Sequence, residues 1–399
     1  MDLPDKHAMR GRKRPAPQSA PSQWQKMRKA AHKQATAATA RMTTMGSLLW
    51  YLPMLGCLTM LQSVAVTPAS AINYDWHVME LLRYMDRTNL SPAPTLTSMD
   101  RTVAQFFDHM IEEDAQPAFG EKLLAGLSHR LPWIPGTVHD KFPGSSRSLK
   151  GWRRLKPPST RPPLPFEAML LIAVSVCVHH KMAMGIAIVM GFFGYLRPRE
   201  LTDLLSSQLV PPMTRGLARG KALSFWNIVL HSFEGLKASK TGRYDENLPM
   251  DSKWLQGWFP AFLEALHGAR KDCHRLWSFT HEELLAAYRM EIRRLGLDAL
   301  VQNLYGLRHG GASFDTLFRQ RDPLGVKIRG RWASDKSLIR YRKASIAQRE
   351  TQKMSDAQLS VAKLLAESPG HYFEHLSDTL AALRPILCPV TKSSRSSTA

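Results

Sequence analysis

The chain has 399 residues, enough to bury two domain-sized cores plus tails. Its formal charge of +21 points to a polyanionic partner, nucleic acid first and anionic lipid second. A hydrophobic content of 44% argues for folded cores rather than a wholly solvated basic protein such as a ribosomal one. The four cysteines (Cys57, Cys177, Cys273, Cys388) are scattered and form no C-x-x-C pair, which excludes a zinc ribbon and a disulfide framework and suits a reducing compartment. No metal-ligand cluster, Walker loop or catalytic carboxylate pair stands out.

Residues 1–45 are polar and basic, with R-G-R-K-R-P at Arg10–Pro15 and K-M-R-K at Lys26–Lys29, and read as a disordered tail. Such clusters serve as nuclear import signals, as arms on DNA phosphates, or as plain solvated tails. Gly46–Val66 is strongly apolar, and no charged residue occurs from Thr43 to Tyr74. A buried helix feeding the next domain is the expectation, because Gly46, Pro53 and Gly56 interrupt a span. A membrane anchor is the alternative. Three helical stripes follow: Tyr74, Val78, Leu81, Leu82, Met85; then Met99, Val103, Phe106, Phe107, Met110, Ile111; then Leu123, Leu124, Leu127, Leu131. These predict a helical bundle over 46–155, closing on the basic run R-S-L-K-G-W-R-R-L-K that carries Lys150, Arg153 and Arg154. Lys156–Pro165 is a Pro-rich linker.

Phe166–Gly194 is almost wholly apolar and predicts two buried helices turning at His179-His180. Adjacent histidines face different ways on a helix, so a hydrogen-bonded loop pair is expected rather than a metal site. G-Y-L-R-P-R-E-L (Gly194–Leu201) places Arg197 just before a helix start, with Pro198 in the first turn and Glu200 on the N-terminal dipole. Amides and a guanidinium there favour an anion. Ser224–Leu230 and Lys237–Pro249 read as strands joined through K-A-S-K-T-G-R, with a tight turn at Thr241-Gly242. Apolar stripes at Trp254–Leu266 and Leu284–Leu295 read as scaffold helices, and Leu359–Leu365 and Tyr372–Leu383 as closing ones. Between them runs Y-G-L-R-H (Tyr305–His309), then G-R-W ending at Trp332, then Tyr341 nine residues on between Arg340 and Arg342. Arg308 can clamp two phosphate oxygens, and a phenol among cations becomes a usable nucleophile.

In order and spacing these motifs resemble the active-site segments of the tyrosine recombinase (phage integrase) family. The family pattern is L-R-x-x-E-L, then H-x-L-R-H, G-H or G-W, and a nucleophilic tyrosine nine residues later; here Tyr305 replaces the first histidine. The helical bundle more loosely resembles the family's N-terminal core-binding domain. The resemblance implies a mainly α fold with a small β-sheet, arranged as a two-domain DNA clamp. It implies a 1–45 tail, a 46–155 DNA-binding domain, a 156–165 linker, a 166–370 catalytic domain, and a 371–399 helix and tail that in relatives docks on a neighbouring protomer. It implies site-specific cutting and rejoining of double-stranded DNA through a 3′-phosphotyrosyl bond, by protomers that self-associate as a tetramer, with no metal or small-molecule cofactor. Arg197, Lys240, Tyr305, Arg308, Trp332 and Tyr341 would be catalytic, with Lys237 the second choice for the lysine. His309, Arg340, Arg342, Lys150, Arg153 and Arg154 would bind DNA. The nucleus, or in a prokaryote the nucleoid, is the implied location. Two other readings share the sequence: a type IB topoisomerase that relaxes DNA, and a degenerate DNA-binding protein of a mobile element.

Overall fold

A computed structural model describes residues 23–157, 162–213, 224–230, 246–342 and 344–387. The chain is mainly helical with one small sheet, and it divides into two compact units at Ser159/Thr160.

The first unit holds α1 (Gln23–Met45), α2 (Met60–Ser63), α3 (Pro68–Arg87), α4 (Leu96–Glu112), α5 (Pro117–His129), α6 (Val138–Lys141) and α7 (Pro143–Leu155). The three stripes supply its core: Val78, Leu81, Leu82 and Met85 of α3 meet Met99, Val103, Phe106 and Phe107 of α4 and Leu123, Leu124 and Leu127 of α5, with Leu149 and Trp152 of α7. Capping fixes the helix starts. Asp100 accepts hydrogen bonds from the amides of Gly144 and Ser145, both at 2.8 Å, and so holds the first turn of α7 against α4. Asp75 pairs with Arg130 in the interior, at 2.5 Å.

Two expectations fail in this unit. Residues 23–45 are helical rather than an extension of the tail. K-A-A-H-K-Q-A-T-A-A-T-A-R is rich in good helix formers, and Ala38, Met42 and Met45 form a small buried stripe. The side chain of Gln34 ties α1 to the carbonyl of Val66 at 2.8 Å. Gly46–Val66, expected as one buried helix, is instead a 3-10 turn over Gly46–Tyr51, an irregular stretch, and α2. Gly46 takes a left-handed φ of 45° and ends α1, and among the described side chains of this stretch only Leu52, Leu55 and Ser63 become buried. Among the described residues no helix is long and apolar enough to cross a membrane.

The second unit is built on α8 (Phe166–His179) and α9 (Met182–Phe193), the predicted pair, buried on nearly all sides. The turn between them is held by an unforeseen partner: Glu291, fully buried, accepts from His179 Nδ1 and His180 Nε2 at 3.0 Å each and from Ser175 Oγ at 2.5 Å. Next come α10 (Pro198–Thr202), β1 (Leu209–Val210), β2 (Asn227–Leu230) and β3 (Glu246–Pro249). The strands form an antiparallel sheet in the order β1-β2-β3, with Leu230 opposite Glu246. The connection carrying Lys237 and Lys240 lies outside the described residues. The unit continues with α11 (Phe259–Arg270), α12 (His281–Arg294), α13 (Tyr305–Leu317), α14 (Pro323–Gly330), a 3-10 turn over Asp335–Arg342, α15 (Ala344–Thr351), α16 (Asp356–Glu367), α17 (Pro369–Glu374) and α18 (Leu376–Leu383). The expected boundary at 370/371 does not divide the packing. Phe373, Leu383 and Ile386 enter the same core as α8, so these last helices dock on their own unit.

Helix α13 lies hard against the end of α9, and glycine makes that possible. A Cβ on Gly311 would overlap the carbonyl oxygen of Phe192, and one on Gly310 would overlap that of Leu164. On α7, by contrast, a Cβ on Gly151 would meet nothing within 4 Å. The same substitution therefore has opposite signs at the two sites. Gly311→Ala should destabilise the second unit by about 3 kcal/mol or more, and Gly151→Ala should stabilise the first by about 0.5–1 kcal/mol. Thermal or urea unfolding of each variant checks both.

Candidate active site

The site forms where α9 ends. Tyr195 turns the chain with a left-handed φ of 47°, which points its carbonyl towards α13 and α14. That oxygen accepts from the guanidinium of Arg308 and from Arg331 Nη2 at 3.3 Å. Arg308 also donates to the Gly330 carbonyl at 2.5 Å and is 1% exposed. Among the described residues no carboxylate lies within ion-pair distance of it. Burial first, then the charges of Arg331 and Arg197, push its pKa down to about 10. It remains a cation at neutral pH, but a strained one that a nearby anion would relieve.

Arg197 is the residue before α10, as its sequence setting implies. Its guanidinium pairs with Glu200 and lies beside the Tyr305 hydroxyl, and its amide donates to Glu200 Oε2 at 2.8 Å. Burial works against its charge, but Glu200 and Tyr305 outweigh it and raise its pKa. Tyr305, at the start of α13, therefore meets the first arginine directly.

The aromatic side of the site closes the circuit. The guanidinium carbon of Arg308 sits 5.1 Å from the centre of the Trp332 ring. Trp332 stacks on Tyr341 at 4.5 Å and 23°. His309 faces Tyr341 at 5.4 Å and Tyr305 at 5.2 Å between ring centres. Arg197, Tyr305, His309, Tyr341, Trp332 and Arg308 thus form one continuous cluster, although they are scattered over 145 residues of chain. Tyr341, carried by the 3-10 turn, is packed to 4% exposure among Tyr195, Ala312, Val326 and Leu338.

The remaining predicted residues separate. Arg340 and Arg342 flank Tyr341 on the turn, but their side chains lie outside those described, as does Lys240. Lys150, Arg153 and Arg154 belong to the first unit, on the exposed face of α7. Of these, Arg153 is paired with Glu121 at 2.8 Å, a surface contact that a phosphate could displace. Among the described residues no group of three metal-ligating side chains converges.

Sequence reading missed Arg331 and the frame beneath the site. Tyr195 donates its hydroxyl proton to Asp315, which also takes Arg321 Nε at 2.9 Å. Arg321 and Arg329 share Asp251, and Arg329 donates to the carbonyls of Phe193 and Pro249 at 2.8 Å each. The only linear signal for this frame was the crowding of arginines over 319–331.

No family model and no curated protein matches the chain. Among solved structures, it is similar to the XerH site-specific recombinase bound to palindromic difH substrate in a post-cleavage complex, with 12% identity over 81% of this chain and 93% of that one and a TM-score of 0.48. A pre-cleavage XerH–difH complex gives 12% identity, 81% and 94% coverage and a TM-score of 0.38. The XerA recombinase gives 15% identity, 70% and 98% coverage and a TM-score of 0.32.

Gly330 tests how the aromatic side is held. A Cβ there would overlap the Trp332 ring. Gly330→Ala should push the indole off Tyr341, seen as a shift in tryptophan emission and as faster chemical nitration of Tyr341 in the folded protein.

Proposed function

We propose that the chain is a tyrosine recombinase that cuts and rejoins double-stranded DNA through Tyr341. One observation carries the reading: among the described residues Arg308 is a buried guanidinium with no carboxylate within ion-pair distance, and it lies over the tryptophan on which Tyr341 stacks. A desolvated cation beside a packed phenol is a site for a phosphodiester.

Arg308 and Arg197 would neutralise the two non-bridging oxygens, and the indole N–H of Trp332 would donate from the side. Tyr341 Oη attacks phosphorus in line, the bond to the 5′ oxygen breaks, and a 3′-phosphotyrosyl bond remains. The phenolic proton passes to water or to His309, the imidazole that faces Tyr341. Lys240, proposed from its sequence setting, protonates the leaving 5′ oxygen. A second 5′ hydroxyl then reverses the step on a new strand. In-line attack requires the 3-10 turn to give way, because Tyr341 is packed in the free protein. The chemistry needs no metal or nucleotide. Exchange between two duplexes cuts all their strands, one tyrosine to each, which is the reason to expect a tetramer on DNA. The exposed basic face of α7, with Lys150 and Arg154, would take backbone phosphates.

A nicked suicide substrate that loses its leaving strand tests the chemistry by trapping covalent adduct. Tyr341→Phe should form none while binding DNA within about a factor of a few, since only a hydroxyl is removed. Adduct in that variant would place the nucleophile elsewhere. Recombination between two sites, as against relaxation alone, separates this reading from a topoisomerase.

Tyr305 has a separate test. Its hydroxyl lies beside the Arg197 guanidinium, and a charge-assisted hydrogen bond made there during the reaction is worth about 1.5–3 kcal/mol. Tyr305→Phe should therefore slow single-turnover adduct formation by about tenfold or more. Tyr305→His, which restores a nitrogen acceptor, should retain activity. If Phe matches wild type and His is inert, Tyr305 has no part in the chemistry.

A further inference from the structure

Arg331 stands out for its backbone as much as for its side chain. It is the residue that ends α14, with φ 54° and ψ 39°. That left-handed position is where a helix ordinarily places glycine, because any other side chain costs on the order of 1 kcal/mol there. Glycine is available one residue earlier, and the strained position carries an arginine instead. Strain of this kind persists where the surroundings over-determine it.

The surroundings are specific. The Arg331 side chain is 7% exposed, and Nη2 donates to Glu200 Oε2 at 2.5 Å and to the Tyr195 carbonyl at 3.3 Å. Nη1 donates to the Arg329 carbonyl at 3.2 Å. Nε faces Glu246 Oε2 on β3 at 3.6 Å, a distance at which the charges attract without a hydrogen bond. Glu200 is thus divided between two guanidiniums: Oε1 pairs with Arg197 and Oε2 with Arg331. An arginine facing a carboxylate with both oxygens available closes a two-pronged fork. Arg331, together with the Arg197 amide, occupies the Oε2 prong, so the Arg197 guanidinium pairs through Oε1 alone.

We propose that Arg331 is a positioning residue for strand cleavage: by holding Glu200 Oε2 it stops Glu200 from capturing Arg197 in a fork and keeps Arg197 aimed at the scissile phosphate. The inference rests on the proposed phosphotyrosyl chemistry. Two variants separate guanidinium from backbone. Arg331→Gly removes the charge and relieves the left-handed strain; Arg331→Met removes the charge and keeps the strain. Both should slow adduct formation on the suicide substrate by about tenfold or more.

A merely structural role could do the same, so two further readings decide. The first replaces one non-bridging oxygen of the scissile phosphate by methyl, which removes the charge that Arg197 neutralises. On this methylphosphonate the defect of both variants should shrink at least several-fold. Partial unfolding would lower the rate on both linkages alike and leave their ratio unchanged. The second is a double variant: Arg331→Met with Arg197→Ala should be no slower than Arg197→Ala alone, since Arg331 acts through Arg197. A defect equal on both linkages, or rates that multiply in the double variant, overturns the assignment. Wild type that forms no adduct overturns instead the function on which it rests.

Discussion

A guanidinium taken out of water must be met by oxygen, and Arg308 imposes that demand on everything around it. The Tyr195 carbonyl answers it, and it can do so because the chain turns left-handed at the end of α9. Tyr195 is fixed at its other end too, through its hydroxyl on Asp315, which ties in Arg321, Asp251 and Arg329. Breaking one member of such a buried network typically costs about 3–5 kcal/mol. The aim of Arg308 therefore depends on a frame that shares no atom with the proposed chemistry. The glycines of α13 belong to the same constraint, because without their close approach to Phe192 the guanidinium would not reach Tyr195.

The electrostatics of the cluster follow from the crowding. Burial first, and then the neighbouring charges of Arg331 and Arg197, lower the pKa of Arg308, and burial lowers that of Arg331 as well. An anion bound among them would reverse that effect, so in the proposed reaction the repulsion held in the free protein would return as affinity for a phosphate. Charge growing on the oxygens during the proposed transfer would be favoured most, since the donors are already in place. Tyr305 fits this scheme differently from a histidine. Its oxygen lies beside the Arg197 guanidinium and so helps hold a cation in partial burial.

Much of this was legible in the sequence, and the reasons differ by element. The stripes of α3, α4 and α5 were plain because one helical face is buried and 3.6-residue periodicity records it. The order Arg197, Tyr305, Arg308, Trp332, Tyr341 was legible because these residues punctuate short motifs of fixed spacing. Helix α1 was not, since its buried face is three small or flexible side chains in a polar, basic stretch. Gly46–Val66 misled because apolar composition carries no period when the chain runs irregularly across a core. Glu291 and Arg331 were hidden for a common reason: each acquires its meaning from partners far away in the chain, Glu291 from His179 and His180 and Arg331 from Glu200 and Glu246.

Charge balance distinguishes frame from site. Beneath Tyr195, Arg321 and Arg329 face Asp251 and Asp315, two cations against two anions, a closed account that calls for no ligand. Around the Tyr195 carbonyl, Arg197, Arg308 and Arg331 face Glu200 and, at 3.6 Å, Glu246, three cations against two anions among the described side chains. Among those side chains Arg308 is the member with no carboxylate within ion-pair distance. A phosphodiester brings one negative charge. Were a third carboxylate present, the cluster would be as complete as the frame below it, and Arg308 would be one more buried ion pair. Among the described residues, the lack of such a carboxylate beside Trp332 and Tyr341 is what separates this cluster from the frame and supports the proposed phosphate site.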